Sequence, residues 1–246
     1  MSQIPKIVHH MWMQGFEYAP VQKEIIIQRQ WGSNVQHLFW DEKSILNLIK
    51  YKYSEWLQFF IKIQVLIIKC DIARAFILHY YGGVYADLDI IPTKNHESVF
   101  DLADERIIVP SQNLFNTFLS FPNNNWMACK PNNAWWIESF LPHAQKYLKD
   151  GGSFIDAFLM SIFSNYHVFA TAGPIVYFTA VQNNTMKMTQ LNLKESMALF
   201  EHPPFQSSWI NYKFLKKKIM VFIFQIFLIY LVIKVSSSYK KNVFTQ

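Results

Sequence analysis

The run from Cys70 to Asp89, CDIARAFILHYYGGVYADLD, constrains this chain more than any other stretch. Ile68, Ile72, Ala75, Phe76 and His79 recur at steps of three and four, which predicts a helix over residues 65–81. Gly82-Gly83 suits a left-handed cap at its end. A strand follows at once and closes on Asp87-Leu88-Asp89. Side chains two apart on a strand face the same way, so this reading puts both carboxylates on one spot and turns Leu88 into the core. Two anions sharing a site repel unless a cation lies between them. Mg²⁺ or Mn²⁺, held by one or two carboxylates and by phosphate oxygens, is the natural partner. An isolated Asp-x-Asp triplet carries little meaning; its setting supplies the rest. On the helix, Asp71 and Arg74 lie three apart and share a face. Spacing alone leaves two readings open for them, a surface ion pair or the lining of a site.

The remaining pattern is that of an α/β enzyme. Residues 6–12 and 36–40 read as strands, with helices over 22–32, 43–48 and 54–66. Short apolar strands are expected at 105–110 and 126–129, with a turn-rich connection at 118–125. Helices over 132–147 and 154–165 flank a loop at 149–153. Strands alternating with helices imply a mainly parallel central sheet with flanking helices, whose ligands gather at the carboxyl ends of the strands. Asp87 and Asp89 fall at such an end. No repeat or long linker interrupts residues 1–212, which read as one catalytic domain.

Four blocks together resemble glycosyltransferase family 32. They are Ile4-Pro5-Lys6-Ile7-Val8-His9-His10-Met11-Trp12, then Trp40-Asp41, then Asp71-x-x-Arg74 through Gly82-Gly83-Val84-Tyr85-Ala86-Asp87-Leu88-Asp89, and Ala172-Gly173-Pro174. The family includes yeast Golgi and sphingolipid mannosyltransferases, and the glucosyltransferase domains of clostridial toxins are more distantly similar. The resemblance implies a GT-A-like fold and a metal-dependent, retaining transfer of a hexose or N-acetylhexosamine from a UDP- or GDP-sugar to a glycan or lipid head group. It further implies roles for residues. Trp12 would stack on the base, Asp71 and Arg74 would hold the donor sugar, and Tyr85 would line the phosphates. Asp87 would reach the ribose and the metal, Asp89 would bind the metal directly, and Arg74 would also steady the diphosphate. In Glu201-His202-Pro203-Pro204-Phe205-Gln206-Ser207-Ser208-Trp209, His202 stands where the family has a metal ligand, and Ser208 and Trp209 where it has donor contacts. Ser207 replaces a usual Gly, and two prolines intrude.

Other chemistries find less support. His9 and His10 are adjacent and would face opposite sides of a strand, which argues against a paired zinc site. Cys70 and Cys129 form no C-x-x-C, and Cys70 reads as a small buried hydrophobe. Walker, G-x-G-x-x-G and G-x-S-x-G motifs are absent. A phosphodiesterase or nuclease would need further ligand clusters, and a catalytically silent, membrane-tethered binding protein would not need the intact carboxylate motif. The net charge of +6 hints at nucleic acid, but much of it comes from Lys216, Lys217 and Lys218 before an apolar run and Lys234, Lys240 and Lys241 after it. That run, residues 219–233, is shorter than the roughly 20 residues that cross a bilayer. With lysine stems snorkelling at both ends, residues 213–246 read as an apolar helix and a single-pass C-terminal membrane anchor. Residues 1–6 lead straight into the first strand, without the regions of a secretory peptide.

Overall fold

The computed structural model describes residues 3–27, 31, 34–102, 107–113, 120–152, 166–182 and 188–201. The chain divides into two compact units, residues 1–152 with 168–205 and residues 153–167 with 206–246. The first holds the sheet and its helices; of the second, only Tyr166 and His167 are described. The expected helix over 154–165 and the apolar tail therefore lie outside the described residues. Among those described, no helix is long and apolar enough to cross a membrane.

Six strands form the central sheet: β1 (Ile7–Met11), β2 (Gln36–Trp40), β3 (Gly83–Ala86), β5 (Ile107–Val109), β8 (Trp126–Cys129) and β9 (Met188–Gln190). Their order is β2-β1-β3-β8-β5-β9. Five run the same way and β8 alone is reversed, pairing antiparallel with both β3 and β5. The reversal has a local cause. Directly after β5, β6 (Ser111–Asn113) turns back through an antiparallel pair with β7 (Ser120–Pro122), so β5 and β8 are the two arms of one long hairpin. The connection expected at 118–125 thus includes a strand. A second short ladder joins β4 (Ile91–Pro92) to β10 (Phe200–Glu201).

Both faces of the sheet are covered, and the strands show it residue by residue. Val8, Val84, Ala86, Ile108, Trp126 and Ala128 pack into one core with Trp31 and Phe200. Met11, Tyr85, Ile107, Val109, Met127 and Cys129 pack into the other, beneath the helices. Period-two alternation with apolar residues on both sides is what a sheet buried on two faces requires.

The helices are α1 (Lys23–Ile27), α2 (Glu42–Lys52), α3 (Leu57–Lys62), α4 (Leu66–Tyr81), α5 (Leu141–Asp150), α6 (Tyr166–Thr171), α7 (Pro174–Gln182) and α8 (Leu193–Leu199). Several differ from the sequence reading. The segment 54–66 is a 3-10 turn (Ser54–Trp56) followed by α3, and then breaks before α4. The helix expected over 132–147 opens as a π-helical turn (Trp136–Phe140) and continues as α5 to Asp150, beyond the loop expected at 149. Pro142 explains the wide turn, because its ring lacks the N–H of a regular ladder. α4 is buried along most of its length, with Ile72, Phe76, Ile77 and Leu78 fully enclosed.

The turn from α4 into β3 can be made only by glycine. Gly82 has φ 62° and Gly83 φ 87°. A Cβ on Gly82 would lie 2.5 Å from the Pro131 nitrogen, and one on Gly83 2.5 Å from the Ile7 carbonyl oxygen. Gly82→Ala or Gly83→Ala should therefore cost about 2–4 kcal/mol, read as a fall in the urea midpoint without a change in slope.

His9 staples the same turn. Its Nε2–H donates to the Gly82 carbonyl at 2.8 Å, and its Nδ1 accepts from the Trp40 indole at 3.1 Å. One donor and one acceptor are the full capacity of a neutral imidazole, and burial lowers its pKa to about 4. Above pH 6.5 the ring is neutral in folded and unfolded chains alike. Below that pH the unfolded chain takes up a proton that the folded one does not, so stability falls as pH drops toward 4, by roughly 3 kcal/mol in all. Other buried groups titrate in the same window, so the His9 slope is read as a difference: between pH 7 and pH 4 the unaltered chain should lose more stability to urea than His9→Asn does.

Candidate active site

Three parallel strands end at one edge of the sheet, with His9 of β1 level with Leu38 of β2 and with Tyr85 of β3. Trp12, Asp41 and Asp87 follow the respective strand ends. Asp41 is committed to structure: it caps α2, accepting from the Ser44 amide at 2.7 Å while the Ser44 hydroxyl accepts from its own amide. The Ser44 hydroxyl also lies 2.6 Å from Asp41 Oδ1, and its bond to the carboxylate, with that of the Ser44 amide, holds the carboxyl below the usual range. Trp12 is half-buried, and its indole N–H has no hydrogen-bond partner among the described residues.

The carboxylate motif departs from its expected geometry. β3 ends at Ala86, so Asp87 and Asp89 do not alternate on a strand. They sit in a tight turn closed by the Ile90 amide donating to the Asp87 carbonyl at 3.0 Å. Leu88 and Ile90 are buried and anchor the turn on either side of Asp89, which is exposed. Asp87 instead continues the alternation of Tyr85, whose hydroxyl donates to Asp87 Oδ1 at 2.8 Å.

Beneath the turn, α4 supplies Asp71 and Arg74, both almost wholly buried. The guanidinium lies between two carboxylates: Nη1 is 3.0 Å from Asp71 Oδ1 and Nη2 is 3.1 Å from Asp87 Oδ1. Its plane sits 4.6 Å from the centre of the Tyr85 ring. The intrahelical pair read from the spacing is present, but it is buried and not on the surface. Burial pushes the Asp71 carboxyl up to about 7 against the opposing pull of Arg74. Burial likewise raises Asp87, and the nearby Asp89 charge adds to the effect, while Arg74 and Tyr85 resist it. Desolvation alone would lower the Arg74 pKa; Asp87, Tyr85 and Asp71 reverse that and hold it well above its ordinary value.

One partner escaped the sequence reading. Asn124, between β7 and β8, donates its side-chain amide to Asp71 Oδ1 at 2.9 Å and accepts from Arg74 Nη1 through its backbone carbonyl at 2.9 Å. Its neighbour Asn125 accepts from the Asp87 amide at 2.8 Å. The three consecutive asparagines 123–125 signal a turn, but not which groups that turn meets some fifty residues away. Tyr177 of α7 is buried near the same charges, and its hydroxyl has no hydrogen-bond partner among the described residues. Cys70 and Cys129 are free thiols that burial pushes up to about 12, and neither suits nucleophilic work.

The structure thus brings together Asp71, Arg74, Tyr85, Asp87 and Asp89, with Trp12 at the same edge. His202, Ser208 and Trp209 lie outside the described residues. The last described residue before them, Glu201, pairs with Ile91, two positions after Asp89. Among the described residues no three His, Cys, Asp or Glu side chains form a metal-sized cluster.

The motif has relatives. Residues 3–107 match the family described as the glycosyltransferase sugar-binding region containing the DXD motif. A glycosyltransferase of Acanthamoeba polyphaga mimivirus is 30% identical over 135 residues, 53% of this chain and 51% of that protein. Inositol phosphoceramide mannosyltransferase 1 of Schizosaccharomyces pombe is 28% identical over 146 residues, 54% of this chain and 40% of that protein. The chain spans about half the length of these curated relatives or less. The PaToxG glycosyltransferase structure superposes with a TM-score of 0.50 at 16% identity, covering 75% of this chain and 71% of that one, a likeness of fold. The mixed α/β fold, a central sheet with flanking helices, is what the two structures share. The DXD region contains Trp12, Asp71, Arg74, Tyr85, Asp87 and Asp89 but not Asn124, whose role follows from the hydrogen bonds alone. Asn124→Ala should lose about 1.5–3 kcal/mol of stability on chemical denaturation, because it strips a neutral donor from a buried carboxylate.

Proposed function

We propose that this chain is a metal-dependent, retaining glycosyltransferase that moves a hexose or N-acetylhexosamine from a UDP- or GDP-sugar to a glycan or lipid head group. The observation that carries the reading is a charge imbalance. One guanidinium serves two carboxylates, and a third carboxylate, Asp89, is held out beside them by its buried neighbours. Such a site is short of positive charge and supplies the hard oxygen donors that Mg²⁺ or Mn²⁺ prefers. The hydrogen bond and the ion pair of the Asp87 carboxylate both use Oδ1, so its second oxygen has no partner among the described residues. Asp87 and Asp89 would hold the ion, with His202 as a further ligand. When bound, it supplies Lewis-acid neutralisation of the charge that develops on the leaving diphosphate.

The chain's own residues would do the rest. Trp12 offers an indole face for the base at the strand edge. Asp71 and Arg74 would grip sugar hydroxyls from the floor of the site, with Tyr85 along the phosphates and Ser208 and Trp209 as further donor contacts. Asp71 and Asp87 are each tied to Arg74, an arrangement suited to holding the donor rather than attacking it. That supports front-face attack by the acceptor without a covalent intermediate. The name of the fission-yeast relative favours a membrane lipid among the acceptors. A catalytic domain of residues 1–212 with an anchor in 213–246 would keep the site at such a surface.

Asp89→Ala tests the proposal. Asp89 is exposed and makes little contact with the core, so the variant should keep its melting temperature to within a degree or so while nucleotide-sugar hydrolysis with Mn²⁺ falls at least about a hundredfold. Full activity in the variant, or of the unaltered chain in excess chelator, would remove the metal from the mechanism.

A further inference from the structure

We infer that Tyr177 is a positioning residue, whose buried hydroxyl takes up the Asp71 carboxylate when the sugar of a bound nucleotide sugar turns Arg74 away from it. The ligand is that of the proposed transfer, and to that extent the inference rests on it; the physical basis is a pair of unmatched buried donors. Tyr177, near the start of α7, is fully buried, and its hydroxyl has no hydrogen-bond partner among the described residues. Trp135, Trp136 and Phe140 pack around its ring, with centroids 5.8, 6.4 and 5.7 Å away, and none of them offers a side-chain acceptor. Of the charged groups that act on the phenol, the Asp71 carboxylate acts most strongly, followed by Arg74. Arg74 supplies the second unmatched donor. Its Nε–H is buried and likewise has no partner among the described residues.

Buried donors without partners are costly, and native chains keep few of them. Phenylalanine would fill the same space without that cost, so the Tyr177 hydroxyl serves an arrangement other than the resting one. Asp71 is the acceptor with capacity to spare. Its Oδ1 takes both the Asn124 amide and Arg74, and its Oδ2 has no partner among the described residues. At rest the two terminal nitrogens of the guanidinium are divided among Asp71, Asp87 and the Asn124 carbonyl. The hydroxyls of a donor sugar bring further acceptors to the same group. Nε–H is the donor left for them, and because it is buried the guanidinium must turn to present it, which loosens Nη1 from Asp71. Asp71 is then less compensated, at a depth where an unpaired carboxylate is strongly disfavoured. A phenol donating to Oδ2 makes up the difference, so one rearrangement matches both donors. Each carboxylate oxygen accepts two bonds, and Asp71 keeps room for a sugar hydroxyl while the phenol fixes its orientation.

Tyr177→Phe in the full chain removes one oxygen and keeps the ring. Without ligand, its urea midpoint should equal or exceed that of the unaltered protein, because no bond of the resting state is lost. Calorimetry with Mn²⁺ then compares UDP-glucose, UDP-N-acetylglucosamine and GDP-mannose with UDP and GDP. Affinity for the diphosphates should hold within about twofold, while affinity for whichever sugar nucleotide binds the unaltered chain should fall about tenfold, the worth of one hydrogen bond to a charged group. A third measurement needs no ligand. Lysine keeps the charge but lacks the fork, so Arg74→Lys loosens the hold on Asp71. In that background Tyr177→Phe should lower the urea midpoint by about 0.5 M, although it does not do so alone. A lower midpoint for Tyr177→Phe alone overturns the inference, since the hydroxyl is then already partnered at rest. So does an equal loss, or no loss, of affinity for sugar nucleotide and diphosphate, and so does an unmoved midpoint in the Arg74→Lys background. If no nucleotide sugar binds the unaltered chain, the transferase reading fails, and the Arg74→Lys comparison decides the role of Tyr177 by itself.

Discussion

The site depends on one buried guanidinium. Arg74 is enclosed by protein, where an unpaired charge would be prohibitive, and it survives because Asp71 and Asp87 flank it at 3.0 and 3.1 Å. Asp71 is buried beside it, and Asp87, a third exposed, meets it from the outer side. The arrangement locks three separate pieces of chain: Asp71 and Arg74 set the rotation of α4, Asp87 sets the exit of β3, and the Asn124 carbonyl and amide tie in the loop before β8. Buried ion pairs add little net stability compared with apolar packing, so this one is better understood as a device for uniqueness of geometry.

That geometry needs α4 and β3 to meet at a fixed distance, and the needs of the turn between them explain much of the local sequence. Two successive residues at positive φ, each with backbone of another segment where a side chain would start, admit only glycine. The carbonyl that the turn exposes is taken up by His9, itself held neutral between that carbonyl and the Trp40 indole. The adjacent histidines that could pass for metal ligands therefore serve packing: His10 is also buried, bonding to the Ala86 carbonyl at 3.0 Å and stacking on His37.

Local pattern made the central part of the fold legible. The strand at 36–40, the strand at 126–129 and the helix ending at Tyr81 are short-range features, written in periodicity and glycine. The π-turn at Trp136–Phe140 and the break between α3 and α4 were not, because apolar content stays high through both while a proline in one and tertiary packing in the other decide the backbone. The motif Asp87-Leu88-Asp89 was found for a reason that the structure revises. Alternation on a strand was expected to align the carboxylates; a turn pinned by Leu88 and Ile90 presents Asp89 instead. Asn124 was illegible for a different reason. Its partners lie in α4, and only the antiparallel return of β8 alongside β3 brings them within reach.

The revised geometry sharpens what each carboxylate can do. If both had extended from a strand, they would be equivalent, and the guanidinium would have to neutralise either one. As built, the three acids are graded by environment: Asp71 enclosed and doubly bonded at one oxygen, Asp87 a third exposed with one oxygen tied inward, Asp89 outside on its turn. A rigid anion cannot follow a ligand, and a solvated one cannot hold it firmly; a graded set does both. The inner members keep their positions through contacts that water cannot replace, and the outer member stands in solvent. The residual negative charge is therefore placed where a ligand can reach it, at the mouth of the site, while the interior remains close to balance.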